Sequence, residues 1–155
     1  MNSRVQSIIN RFNNTLTGEP WFGRAVYPIL EEVDPVKAEV KPNGTEHSML
    51  ELLYHMITWN GFTLTRIEKD ESMDTKAFEE LDWRKIDLSI HSWEKGLAEF
   101  KSINSNIISL LEQKTDDFLD EIVDHRKYNF RFLVHGMIDH TIYHIGQIAY
   151  LNKLL

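Results

Sequence analysis

The sequence predicts an all-α protein, a four-helix bundle. Three observations carry that expectation. Apolar residues recur at i, i+3, i+4 and i+7 spacing in four separate segments. No segment shows the apolar–polar alternation of a half-buried strand, and no internal repeat interrupts the pattern.

The first helix is marked by Val5, Ile8, Ile9, Phe12 and Leu16. Gly18 suits the position after its last turn, and Pro20 keeps it from continuing. Glu19 to Gly44 then forms a long connection. Its Trp21, Phe22, Tyr27, Ile29 and Leu30 are too apolar for a free linker, so it is expected to pack over the core. A short helical piece is expected near Val26–Glu32, and Asp34-Pro35 reads as a cap followed by proline at the first helical position. Pro42-Asn43-Gly44 is a turn.

The second helix opens with Ser48 and Glu51 at capping-box spacing, with Thr45 as an earlier alternative. Met49, Leu52, Leu53, Met56, Leu64 and Ile67 form its apolar stripe, and Leu52, His55, Trp59 and Phe62 an adjacent row. Lys69 to Lys85 reads as a charged loop with a short turn at Thr75–Leu81. Asp87 or Ser89 is expected to cap the third helix, whose stripe is Ile90, Trp93, Leu97, Phe100, Ile107 and Leu111. Thr115 to Tyr128 connects to the fourth helix, with one turn around Phe118–Val123. That helix starts near Asn129, with Leu133, Met137, Thr141, Ile148 and Leu151 facing inward. Trp59 and Trp93 belong to helical stripes and are expected in the core, whereas Trp21 and Trp83 are expected to plug a bundle end.

Length and composition fit one domain spanning residues 1–155, with 42% hydrophobic and 26% charged residues. A net charge of −7 without a basic stripe argues against nucleic acid as a partner. The absence of cysteine rules out disulfides and thiolate ligands, so a metal would need His, Asp or Glu. The N-terminal segment lacks a signal-peptide core, and no window approaches about 18 uninterrupted apolar residues. A cytoplasmic location is the resulting expectation. The pairs Asp116-Asp117 and Asp120-Glu121 read as solvated surface.

The chemistry concentrates in the fourth helix. Leu133, Met137, His140, His144 and Ile148 lie along one row, so both histidines project with core residues. At i, i+4 their side chains sit one turn apart on one face. Two inward imidazoles each need a partner for their ring nitrogens, and one metal ion serves both. The alternative is a metal-free bundle with buried histidines. His55, on a different helix and bordering the core, is the natural third ligand. Three neutral imidazoles would leave a coordination position open, as in catalytic sites. Glu51 or Trp59 near His55, and Asp139, Tyr143 or Gln147 near the pair, are candidates to orient the rings. His47 lies two turns before His55 and reads as a surface residue near the same face. His135 is about 140° round the helix from His140 and points elsewhere, and His91 and His125 are expected to be exposed.

Other chemistries are disfavoured. His140-Thr141-Ile142-Tyr143-His144 lacks the glutamate that follows the first histidine of a zincin. No nucleophile elbow, P-loop or dinucleotide fingerprint is present. A di-iron carboxylate site would need Glu-x-x-His pairs, which the inward rows do not supply.

Ser48-Met49-Leu50-Glu51-Leu52-Leu53-Tyr54-His55, together with His140-Thr141-Ile142-Tyr143-His144-Ile145-Gly146-Gln147-Ile148, resembles the DinB/YfiT-like superfamily. Gly18-Glu19-Pro20-Trp21-Phe22-Gly23 and Ile29-Leu30 resemble the connection in one branch of that group. The resemblance implies an up-down-down-up bundle with long connections between helices 1 and 2 and between helices 3 and 4. It implies a divalent metal, zinc or nickel, on three histidines that map to His55, His140 and His144. It also implies dimers and, for some relatives, S-transfer from a low-molecular-weight thiol such as bacillithiol or mycothiol. This chain departs from the family at Tyr143, where histidine is common, and at Ile145, where arginine is common.

The functional expectation is therefore a metal-dependent enzyme acting on a small molecule, a thiol S-transferase or hydrolase. The rival is a non-catalytic metal-binding or stress-related interaction protein with the same three-histidine site.

Overall fold

The computed structural model describes residues 3–155. The described chain is all-α, in agreement with the predicted class. Four long helices form the body: α1 (Ser3–Thr17), α4 (Met49–Glu68), α6 (Trp93–Glu112) and α7 (Phe130–Leu154). Three short helices lie in the connections: α2 (Val26–Glu31), α3 (Pro35–Ala38) and α5 (Thr75–Leu81). A single 3-10 turn, Asp116–Asp120, precedes α7. No described helix is long and apolar enough to cross a membrane.

Helix α4 packs against both α6 and α7, and α1 also touches both. The reason is visible in α4 itself. Met49, Leu52, Leu53, Met56, Ile57, Phe62 and Ile67 are all buried, so its apolar surface is wider than a single stripe and needs two neighbours. Its start is the reciprocal capping box expected from Ser48 and Glu51: the Glu51 amide donates to Ser48 Oγ at 3.1 Å, and the Ser48 amide to Glu51 Oε2 at 2.7 Å. Gly96 lets α6 approach closely. A Cβ there would stand 2.9 Å from Leu53 Cδ2 and 3.1 Å from the Tyr54 ring. Farther along the same contact, buried Asn60 donates to Asn104 at 2.7 Å, and Asn104 reaches Tyr27 Oη at 3.2 Å.

The first connection packs as expected, with Val26, Leu30, Val33 and Ala38 buried. Trp93 Nε1 donates to Leu30 O at 3.1 Å and ties it to α6. Trp21 departs from expectation. It is fully exposed and plugs nothing. The start of α6 also differs. Ser92, not Asp87 or Ser89, is the cap, accepting from the Lys95 amide. Asp87 spends its carboxylate on Ser89 instead, accepting from both its amide and its hydroxyl, so the chain turns there and Ile90 faces solvent.

The acidic run near residue 116 does more than face water. Asp116 Oδ1 accepts from the amides of Arg4 and Val5 at 3.0 and 2.9 Å. A carboxylate distant in sequence thus satisfies first-turn donors of α1 and sits at the positive end of its dipole. Arg4 in turn pairs with Asp120 at 2.6 Å. The Val5 amide is the main cause holding the Asp116 carboxyl below its usual range, outweighing a smaller opposing effect of burial. The folded state therefore favours the ionised form. The stability it lends is present above the ordinary aspartate pKa and is lost as pH falls through the lowered one. The protection of the Arg4 and Val5 amides against exchange, relative to the intrinsic rate at each pH, is expected to fall selectively on acidification. In Asp116→Asn that extra acid sensitivity should vanish; exchange that tracks pH equally in both proteins would refute the role.

Candidate metal centre

His55 comes from the middle of α4, and His140 and His144 from successive turns of α7. The packing of α4 on α7 brings the three rings together. His55 Nε2 lies 2.9 Å from His140 Nε2 and 3.0 Å from His144 Nε2. His55 and His144 are buried, and His140 is partly buried. Among the described residues this is the group of at least three His, Cys, Asp or Glu side chains whose ligand atoms converge tightly enough to hold an ion.

The outer nitrogens decide what those short distances mean. His144 Nδ1 donates to Gln147 Oε1 at 2.5 Å, so its proton sits on Nδ1 and its Nε2 carries a lone pair. His55 Nδ1 lies 2.7 Å from Asp82 Oδ1. The oxygen is off the axis of the ring N–H, so this is an electrostatic contact more than a straight hydrogen bond. A carboxylate still draws the proton to Nδ1 and leaves the His55 Nε2 lone pair facing inward. Two lone pairs then face each other at 3.0 Å. His140 brings one proton at most, enough to relieve only one such contact.

Protonation does not resolve the conflict. Burial pushes the pKa values of all three histidines down. His140, next to two other imidazoles, falls to about 3. For His55 the opposing pull of Asp82 does not overcome burial, nor does that of Gln147 for His144. The rings are neutral near pH 7 with their basic nitrogens converging. Nitrogens each about 2.0–2.1 Å from one ion would stand roughly 2.9–3.4 Å apart at octahedral to tetrahedral angles, so the donor set fits a divalent borderline metal.

Asp82 and Trp83, which position the site, follow α5 directly. This loop is held on α4 by Thr58, whose hydroxyl is 3.2 Å from Leu81 O and accepts from Arg84 at 2.6 Å. Trp59 Nε1 donates to Asp82 Oδ1 at 2.7 Å, completing a chain from Trp59 through Asp82 to His55. The Trp83 indole stacks on His55, with centroids 3.9 Å apart and planes within 5°. Its other face stacks on His47 at 3.7 Å. Trp83 thus covers one side of the histidine cluster, where the sequence suggests a plug for the bundle end.

The other candidates divide. Gln147 orients His144 as expected, and Trp59 acts on His55 through Asp82. Glu51 is spent on the capping box and on Lys41. Asp139 pairs with Arg11, and Tyr143 is exposed, meeting His144 in a T-shaped arrangement with ring centroids 5.0 Å apart. His135 lies on Arg11 at 2.7 Å, away from the cluster. His91 accepts from the Asp87 amide, and His125 sits in a turn with φ of 60°. Asp82 and Trp83 were missed because they belong to a connection without periodicity. The remaining signal, an acid beside a tryptophan just after a short helix, has no fixed spacing to the histidines.

No curated protein matches the chain. A family model described as the DinB superfamily matches residues 23–148, a stretch that contains all three histidines, Asp82 and Gln147. With most of its length covered by that match, the chain belongs to the DinB superfamily.

Proposed function

We propose that the protein is a divalent-metal-dependent enzyme of the DinB type, formed by the whole chain 1–155 as one domain, with His55, His140 and His144 holding one zinc or nickel ion. The observation that carries this reading is the approach of His55 and His144 Nε2 to 3.0 Å, with an acceptor oxygen beside the Nδ1 of each ring. A buried polar atom without a partner is costly, and a cation is the occupant that satisfies converging neutral imidazoles. A bound ion would supply a Lewis-acid position at which a small thiol is held as thiolate for S-transfer.

The chain's own residues perform the rest. Asp82 and Gln147 fix the tautomers of His55 and His144. The Trp83 ring shields one face of His55 from water and keeps it from rotating. Trp59 restrains Asp82. The non-catalytic reading draws on the same geometry. Asp82 is already engaged by Trp59 and His55, so it is not free to serve as a general base.

Elemental analysis of protein purified without an affinity tag is expected to find about one equivalent of zinc or nickel, since three protein ligands make one mononuclear site. Absence of metal after reconstitution with either ion would refute the centre. A panel of low-molecular-weight thiols with an electrophilic acceptor separates enzyme from binder. Metal-dependent conjugation supports the first, and metal binding without conjugation supports the second.

A further inference from the structure

The histidine cluster has an apolar neighbour. A cavity of about 220 Å³ opens between α4 and the first half of α7, and its wall includes His140. Trp59 and Phe62 line it from α4, and Phe132, Leu133, Gly136 and Met137 from α7. None of its lining residues is Asp, Glu, Lys or Arg. The walls are held in place. Trp59 is anchored through its indole nitrogen to Asp82, and the Arg66 guanidinium lies 4.8 Å from the Phe62 centroid. Gly136 contributes to the opening by having no side chain. A Cβ added there would meet nothing within 4 Å.

We infer that this cavity seats a neutral aryl-sized group of the molecule whose reacting atom reaches the three-histidine centre. The inference rests on reading that centre as a reaction site. Size supports it, since an apolar cavity of roughly 150 Å³ already holds a benzene ring. Charge supports it, because no lining side chain carries a charge to replace the lost hydration of an ionised group, and the neighbouring Arg66 and Arg126 guanidiniums are engaged with the Phe62 ring, 4.8 and 5.4 Å from its centroid. Continuity supports it as well. His140 is shared, and its Nε2 lies 2.9 Å from His55 Nε2, so an occupant extending along the His140 ring arrives at the cluster. The structure thereby assigns a substrate class, small compounds with an uncharged aromatic end, to the acceptor side of the site.

Two probes of the same outline test it: 4-methylphenol, neutral, and 4-hydroxybenzoate, which carries a carboxylate in place of the methyl. Binding is read from the Trp59 indole N–H resonance in chelator-treated wild-type protein, in His144→Ala and in Gly136→Leu. Gly136→Leu fills the cavity from a position with free space, and its thermal midpoint is expected to equal or exceed that of wild type. Saturable binding of 4-methylphenol is expected in wild type and in His144→Ala alike, at least tenfold weaker in Gly136→Leu and at least tenfold weaker for 4-hydroxybenzoate. Equal binding in Gly136→Leu, tighter binding of the carboxylate, or no saturable binding in wild type would overturn the assignment. The metal-free arms keep this outcome separate from that of the metal centre, which can fail while the cavity still binds.

Discussion

Adding zinc or nickel to the wild-type protein is expected to raise its thermal midpoint, and His140→Leu is expected to abolish that rise. An ion at a concentration about a hundred times its dissociation constant stabilises the folded state by about 2.7 kcal/mol, provided the unfolded chain does not bind it. Removing one of three ligands should weaken binding by more than the roughly 10–100-fold typical of losing an outer-shell partner. The same substitution is expected to act in the opposite direction without metal. His140 Nδ1 is buried without a hydrogen-bond partner, and its Nε2 faces another histidine. Leucine replaces both polar atoms beside Leu133 and Met137, which share its cavity wall. Metal-free His140→Leu should therefore melt at or above metal-free wild type, and the order should reverse when metal is present. Calorimetry of both proteins with and without the ion reads this directly. A variant that melts lower without metal yet holds as much metal as wild type would make His140 an ordinary core residue and the ligand assignment wrong.

What was legible in the sequence follows from how each feature is encoded. The four long helices repeat their information every turn, so Val5–Leu16 and Met49–Ile67 declare themselves in the apolar pattern. The capping box at Ser48 and Glu51 is local and readable in the same way. The histidine cluster needed one further step, that α4 and α7 face each other, and rows of inward residues on both helices supplied it. Features made in connections carried no such repetition. Asp116 caps α1 across more than a hundred positions, and nothing in its neighbours distinguishes it from the solvated acids beside it. Asp87 and Ser92 are both sound caps by type, and the choice between them turned on Asp87 closing its own turn with Ser89. The apolar company of Trp21 in its connection suggests a plug, but an exposed tryptophan violates no rule of packing.

Asp82 is the residue whose loss should most affect the metal centre short of a ligand. One carboxylate oxygen, Oδ1, lies 2.7 Å from both Trp59 Nε1 and His55 Nδ1. Asp82→Ala leaves the Trp59 N–H without its acceptor and lets His55 adopt either tautomer, one of which points a hydrogen at the ion's position. The expected result is a roughly 10–100-fold loss of metal affinity, about 1.4–2.7 kcal/mol. Asp82→Asn separates two contributions. It keeps an oxygen that can accept from Trp59 but removes the charge that draws the His55 proton to Nδ1. An intermediate loss in Asp82→Asn would show that charge and hydrogen bonding both orient the ligand. A loss equal to that of Asp82→Ala would assign the effect to charge alone. Gln147→Ala makes the contrast, because Gln147 is exposed and water can take its place on His144 Nδ1, so its effect should be the smaller. If isothermal titration finds the affinity of Asp82→Ala unchanged, the off-axis contact with His55 does no orienting, and stacking on Trp83 is left as the restraint that holds that ring.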